Sequence, residues 1–380
     1  MDGFLAWQMR VALFGQVWGR VSYALLNRAY ALGLHNQGHD VRVIPAGSID
    51  ATQYHDDEMR HVEELCVNSK PEADETVREW SDARLLVLVP TAVRYLDSHD
   101  WPANDWAIHT VWETDRVQQG WVPLLNRFKA TITATTWNQH VFERQGVTNV
   151  TNRVAPEGID PSTYYPEHES DDQLTFVTVA DFNARKGLRQ LLTTFAHVFG
   201  GGKDAKLLVK TWSMRGEDID ETAERINQFA SDFGADIRPI TTPLQPEEMR
   251  RFYCRGDAFV LPTRGEGWCR PAMEALACGT LPIVTGWSAH EEWLNEDYAR
   301  FLDYELTEPR RRVAGYKAPQ KWAVTSSKDL AEAMADVANN REGVAETARE
   351  GSGWVRENWN NGHAAERLED ALVQVFESGT

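Results

Sequence analysis

The sequence predicts a two-domain α/β protein, each domain a doubly wound parallel sheet and the two facing a central cleft. Three observations predict it. Strand-like apolar runs alternate with helix-period segments through both halves of the chain. Each half begins with a strand, a glycine-containing loop and a helix start, whose unpaired N–H groups and positive dipole end suit a phosphate. Between the halves lies VAPEGIDPSTYYP, Val154 to Pro166, whose prolines and Gly158 fit a chain that leaves one sheet for another. The 380 residues exceed one ordinary core, which places the domains at 1–155 and 156–361.

Composition narrows the class. Hydrophobic residues at 42% and charged residues at 25% describe a soluble globular protein, and no apolar run approaches the eighteen or so residues of a membrane span. The start, MDGFLAWQMRVALFG, carries an early Asp and no basic leader, so a cytoplasmic protein is expected. A formal charge of −18 disfavours duplex nucleic acid and anionic lipid as general partners. Peripheral contact with a membrane would rest on Arg310, Arg311 and Arg312. The cysteines, Cys66, Cys254, Cys269 and Cys278, have no C-x-x-C spacing and read as buried thiols, neither a zinc site nor a disulfide framework.

In chain order, Met9–Gly15 is a first buried strand and Gly15–Arg20 a loop. The helix after it carries Tyr23, Leu26, Tyr30 and Leu34, and residues 37–45 close a β-α-β unit. Residues 47–82 are acidic surface helix and loop. Leu85–Val89 is a further strand. Trp106–Arg116, WAIHTVWETDR, is read as a strand whose carboxyl end carries His109 and Glu113, the side of a doubly wound sheet where ligands gather. Ala130–Ala134 is a strand followed by a helix.

The second half opens with the strand Leu174–Val179, the loop ADFNARKG and the helix LRQLLTTFAHVF. Arg185 and Lys186 stand where they would neutralise a diphosphate. A strand at 206–210 and a helix at 217–233 follow. Asp218 and Asp220 form a D-x-D that belongs to the acidic start of this helix and not to a metal site. The stretch TRGEGWCRPAMEALACG, Thr263 to Gly279, lies between two buried strands, Ala258–Leu261 and Leu281–Val284. Pro271 suits the first helical position and Gly279 the left-handed stop. Glu266 in the loop and Glu274 in the first turn can each accept hydrogen bonds from hydroxyls of one ligand whose phosphates rest on the helix terminus. A nucleotide sugar has hydroxyls on either side of a diphosphate. His290 and Glu291 read as structural or rim residues, residues 304–321 as an irregular basic-tinged loop, and the segments from Lys328 and Gly351 as closing helices.

The spacing of Glu266 and Glu274 within EGWCRPAMEALACG resembles the motif of the retaining GT-B glycosyltransferases of family 4, which usually reads E-G-F-G-x-P-x-x-E-A-x-A-x-G. The likeness extends over roughly residues 9–375. It departs at Cys269, where glycine is common, and at Asp181, where an arginine is expected; Arg185, on a neighbouring turn, is the candidate to take that place. The resemblance implies a GT-B fold of two Rossmann-like domains, with a last helix, 362–380, packing back on the first. It implies a donor site of Gly19, Gly267, Trp268, Cys269, Arg270 and Glu274, and catalytic roles for His109, Arg185, Lys186 and Glu266. Glu113, in its W-E-T-D run, falls on the acceptor side.

The reaction so implied moves a sugar from a nucleoside diphosphate sugar to an acceptor hydroxyl with retention of configuration. No metal and no cofactor takes part, and a UDP-sugar is favoured over a GDP-sugar. Glycan, lipid-linked sugar, small metabolite, protein and modified nucleobase all remain open as acceptor. The rivals are an epimerase or phosphorylase of the same fold, which would turn over donor without this acceptor chemistry, and a non-catalytic sugar-nucleotide-binding protein, which would bind without turnover.

Overall fold

The computed structural model of the chain describes residues 8–19, 21–47, 57–118, 120–167, 173–202, 204–212, 218–309, 313 and 315–377. The three arginines 310–312 lie outside them. The described residues group into two compact units.

The first unit runs to Trp112 and resumes over Arg116–Gly158. Its strands β1 (Arg10–Gly15), β2 (Asp40–Pro45), β3 (Ala83–Val87), β4 (Ala107–His109) and β5 (Ala130–Ile132) form one sheet in the order β2-β1-β3-β4-β5. Every pairing is parallel. Helices α1 (Ser22–Asn36), α2 (Asp57–Leu65), α3 (Lys70–Glu75), α4 (Val93–Ser98), α5 (Trp121–Leu125) and α6 (Thr136–Arg144) make the connections. The strands read as continuous apolar runs because both faces of a parallel sheet are covered. Val11, Leu13, Val41, Val43, Leu85 and Val87 meet Leu26, Tyr30 and Leu34 of α1 in one core. One expectation fails here. The strand drawn from Trp106 to Arg116 ends at His109, so only His109 is at a strand end and Glu113 lies in the loop beyond.

The second unit comprises Glu113–Asp115 and Ile159–Asn360. Strands β6 (Leu174–Val179), β7 (Ala205–Lys210), β8 (Asp236–Ile240), β9 (Ala258–Leu261), β10 (Leu281–Thr285) and β11 (Arg300–Leu302) form a second parallel sheet ordered β11-β10-β9-β6-β7-β8. Helix α7 (Leu188–Phe199) sets Leu188, Leu191, Leu192, Phe195 and Phe199 on one face at helical spacing, and this face meets Phe176, Leu207 and Val260. Helix α8 (Ile219–Phe233) is capped by the Asp218 carboxylate, which accepts from the backbone N–H groups of Asp220 and Glu221, and stops at left-handed Gly234. The D-x-D is thus the cap of a helix. Helix α9 (Pro246–Cys254) begins in a capping box of Gln245 and Glu248.

Helix α10 (Arg270–Ala277) follows β9. Residues 304–321 depart from the expected irregular loop: β12 (Tyr304–Thr307) pairs antiparallel with β13 (Trp322–Thr325). Helices α11 (Ser327–Asn339) and α12 (Arg341–Asn358) complete the unit, with Leu330, Met334 and Val337 in its core. The chain then returns to the first unit as α13 (Asn361–Glu377), which buries Ala364, Leu368 and Leu372 in the first core. A Cβ on Gly33 of α1 would lie 2.4 Å from that of Ala365, so α13 packs where α1 has no side chain.

Gly187, at the start of α7, holds φ 68°, and a Cβ there would come within 2.1 Å of the Pro262 carbonyl oxygen. Gly187→Ala is therefore expected to lose about 2 to 4 kcal/mol from left-handed strain and overpacking together. Thermal unfolding checks this, since each kcal/mol is about 2–4 °C in a domain of this size; an unchanged melting temperature contradicts the packing described.

Candidate active site

Strands β6 and β9 are parallel neighbours, so the loops that leave their carboxyl ends emerge side by side. These loops, 180–187 and 262–269, are zipped together by backbone: Arg264 N–H donates to the Arg185 carbonyl at 2.7 Å. Lys186, Arg185 and Glu266 are thereby brought into one cluster, with Lys186 and Glu266 buried and Arg185 partly exposed. The Lys186 ammonium donates to both oxygens of Glu266, at 2.9 and 3.0 Å. Arg185 Nη1 lies 3.0 Å from Glu266 Oε1 and donates to the Gly265 carbonyl at 2.7 Å. The Thr263 hydroxyl completes the shell at 2.6 Å from Oε1. Burial pushes the Glu266 carboxyl up, but the charges of Arg185 and Lys186 with the Thr263 hydrogen bond prevail and hold it down at about 2.

The backbone at this cluster is tightly built. The Glu266 N–H donates to Ser288 Oγ at 2.9 Å, and Ser288, beyond the end of β10, holds the left-handed φ of 87°. A Cβ on Gly265, whose own φ is 154°, would lie 1.9 Å from the carbonyl oxygen of Glu113. Glu113 thus packs on this loop, its Oε1 3.9 Å from Arg185 Nη2. The hydroxyl of buried Tyr316 donates to the same carboxylate. Burial raises the Glu113 carboxyl against the pull of Arg185, with Glu266 adding to the rise. Asp181 is near enough to favour the charge on Arg185, while its side chain bonds Asn183.

Helix α10 rises from the same loop. Cys269, its N-cap, has φ 72° and ψ 51°, the left-handed conformation that glycine adopts at least cost. The side chain costs about 1–2 kcal/mol there, and it is nonetheless buried. Because Cys269 is left-handed, the helix opens at Arg270, a residue before the expected start. Glu274 is consequently its fifth residue and not in the first turn, and its Oε1 faces Arg270 Nε at 3.3 Å, an i,i+4 pair. Its Oε2 accepts from the Tyr253 hydroxyl at 2.8 Å. Gly267 is buried, and Trp268 packs on Trp293 and Trp359 while its carbonyl accepts from Trp293 Nε1.

In the first unit, Gly19 has φ 87° with open space over it, and its carbonyl accepts from Arg28, which also binds Val17 O. His109 is fully buried. Its Nε2 donates to the Ala155 carbonyl at 2.8 Å beside the Tyr30 hydroxyl, so the ring clasps the end of β4 to the Ala155–Pro156 segment. Burial depresses its pKa to about 4, leaving it neutral at pH 7. His290, in the second unit, is likewise buried and bonds the Thr285 carbonyl. Among the described residues no group of three or more His, Cys, Asp or Glu is placed to hold a metal. No helix among them is long and apolar enough to cross a membrane. Two thiols expected to be buried, Cys66 and Cys254, are partly exposed.

Thr263, Ser288, Tyr316 and Arg28 were not among the residues expected at a site. Thr263 alone had a signal, its place three residues before Glu266. The others act through contacts 22 or more residues away in sequence, or, for Arg28, through carbonyls of a loop without side-chain specificity.

Residues 173–340 match the family model described as glycosyl transferases group 1, so the second unit carries a domain of that kind. A glycosyltransferase from Rickettsia africae superposes over 97% of this chain and 100% of its own with a TM-score of 0.70 at 13% identity. Anabaena HepE, in complex with UDP and glucose, does so over 97% and 100% with a TM-score of 0.71 at 13% identity. Sucrose-phosphate synthase from Thermosynechococcus elongatus covers 98% and 100% with a TM-score of 0.70 at 13% identity. At these identities the likeness establishes the GT-B fold of two parallel-sheet α/β domains. A comparison with curated protein sequences finds no match.

The neutral state of His109 has a measurable consequence. Its folded pKa of about 4 lies below the ordinary 6.5, so its contribution to stability is complete above pH 6.5 and is lost as pH falls toward 4. The loss amounts to about 3 kcal/mol. Denaturant unfolding of the protein and of His109→Gln across pH 4 to 7.5 should show the variant flatter by that amount; parallel curves would contradict the buried neutral ring.

Proposed function

We propose that this protein is a retaining glycosyltransferase that acts without a metal, taking its sugar from a nucleoside diphosphate sugar. The observation that carries the reading is the cluster of Lys186, Arg185 and Glu266 on adjacent loops at the carboxyl ends of β6 and β9, within a glycosyl transferases group 1 domain. Ligands of doubly wound sheets gather at this edge. Glycosyl transfer makes the anomeric carbon oxocarbenium-like while the diphosphate gains negative charge, so fixed positive groups beside the leaving phosphate do most of the work. Lys186 and Arg185 supply them, with the N–H groups at the start of α10.

In this reading Glu266 gives up part of its hold on the two cations when the diphosphate docks and turns its oxygens to hydroxyls of the sugar. Glu274 keeps Tyr253 and Arg270 and accepts from the ribose with its remaining lone pairs. The loop of Gly267, Trp268, Cys269 and Arg270 forms the donor wall, and Gly19 allows close approach of backbone. His109, neutral and clasped within the first unit, contributes by position and not by proton transfer. The UDP and glucose in the HepE complex support a UDP-sugar as donor over a GDP-sugar. The acceptor is a hydroxyl compound whose class the sequence leaves open, and the protein works in the cytoplasm.

Thermal stabilisation by UDP, GDP and ADP tests this first. A nucleotide at about a hundred times its dissociation constant adds about 2.7 kcal/mol. The expected result is a shift with UDP that Lys186→Ala abolishes, followed by transfer, without change of anomeric configuration, in an acceptor screen with EDTA present. Absence of a shift with all three nucleotides removes the reading. Loss of the nucleotide sugar without any acceptor would favour the hydrolytic or epimerising rival.

A further inference from the structure

The two carboxylates beside Arg185 are unequally served. Glu266 has a bidentate ammonium, a guanidinium nitrogen at 3.0 Å and a hydroxyl at 2.6 Å. Glu113 has the far edge of the same guanidinium at 3.9 Å and the Tyr316 hydroxyl. Other charged groups nearby are Lys186, Asp181 across Arg185, Arg264 in the packed loop, and Asp115 on its own segment, whose carboxylate accepts from the Lys321 N–H. Within the cluster two positive charges face two negative ones. Binding a diphosphate at Lys186 and Arg185, as the preceding reading requires, adds at least two negative charges to this neutral set. Removing negative charge elsewhere in the cluster offsets them, and the least compensated group gives way first.

We infer that donor binding is proton-coupled, with Glu113 taking up one proton from solvent as the diphosphate engages Arg185. The carboxylate becomes a neutral carboxylic acid, and nothing is reduced or oxidised. Tyr316 serves both states, because its hydroxyl donates to the carboxylate and accepts from the acid by rotating. Glu113 is a positioning residue in this account. It holds the guanidinium in the empty site and yields it without a charge penalty in the filled one. Glu266 does not take this part, since its carboxyl lies at about 2 and its partners are closer. The inference rests on the nucleotide-sugar reading and assigns Glu113 a place in the second unit, away from the acceptor role its W-E-T-D run suggested.

The test is calorimetric titration of the full chain with UDP-glucose and with GDP-mannose, whose diphosphates have no ionisation near neutral pH. Buffers of low and high ionisation enthalpy are compared at pH 6.5 to 8.5. The expected result is a heat that depends on the buffer with a slope approaching one proton taken up. Affinity should fall by up to tenfold per pH unit over the range in which Glu113 is ionised in the free protein and protonated in the complex. Glu113→Gln, which mimics the acid, should bind at least as tightly, with buffer-independent heat and a flat pH profile. Tyr316→Phe should keep the proton linkage but bind more weakly. Equal heats in both buffers for the unaltered protein, or the same proton uptake in Glu113→Gln, would overturn the inference while leaving the donor reading intact. Binding of neither nucleotide sugar would remove both.

Discussion

The second unit is organised around one electrostatic constraint, a carboxylate buried between two cations. Taking Glu266 out of water alone would cost several kcal/mol, and the same holds for Lys186. Pairing them bidentately, with Arg185 and Thr263 filling the remaining positions, keeps Glu266 ionised to about pH 2. That arrangement sets tolerances on the backbone. The loops after β6 and β9 must touch, which Gly187 permits at Pro262, and the loop of Glu266 must also accept the backbone of Glu113, which Gly265 permits. Each glycine stands where any side chain would push the ion cluster apart.

Strain gathers at the same place. Cys269 and Ser288 are two of the three non-glycine residues with positive φ among those described, and both lie near Glu266. Ser288 Oγ accepts a hydrogen bond from the Glu266 N–H, and Cys269 starts α10 so that Arg270 and Glu274 pair along it. Costs of about 1–3 kcal/mol at such positions persist only where the surroundings over-determine them. Here the surroundings are the indole packing of Trp268 with Trp293 and the closure of the loop on β10.

Much of the fold was legible because the physics that writes it is local. Mostly apolar runs at 10–15, 174–179, 258–261 and 281–285, too short for helices, read as doubly covered strands, and a capping residue such as Asp218 states where a helix begins. The charged members of the site were legible too, since Lys186 and Glu266 sit in loops leaving buried strands. Their pairing was not. It depends on β6 and β9 being neighbours, a fact of strand order that no short stretch records. Glu113 was misread for a related reason. The run WAIHTVWETDR looks extended throughout, but the sheet ends at His109, after which Asn138 holds the Trp112 carbonyl and Glu113 turns to Arg185. Tyr316 lies in a stretch without periodicity, where sequence pattern has nothing to report.

The proposed function depends above all on the cations now held by Glu266 being the seat of the donor diphosphate. A crystal structure of the protein with UDP tests it directly. The expected result is diphosphate oxygens within hydrogen-bond distance of the Lys186 ammonium and the Arg185 guanidinium, with at least one of their present contacts to Glu266 lengthened. A nucleotide bound elsewhere, with the Lys186–Glu266–Arg185 cluster unchanged, would contradict it.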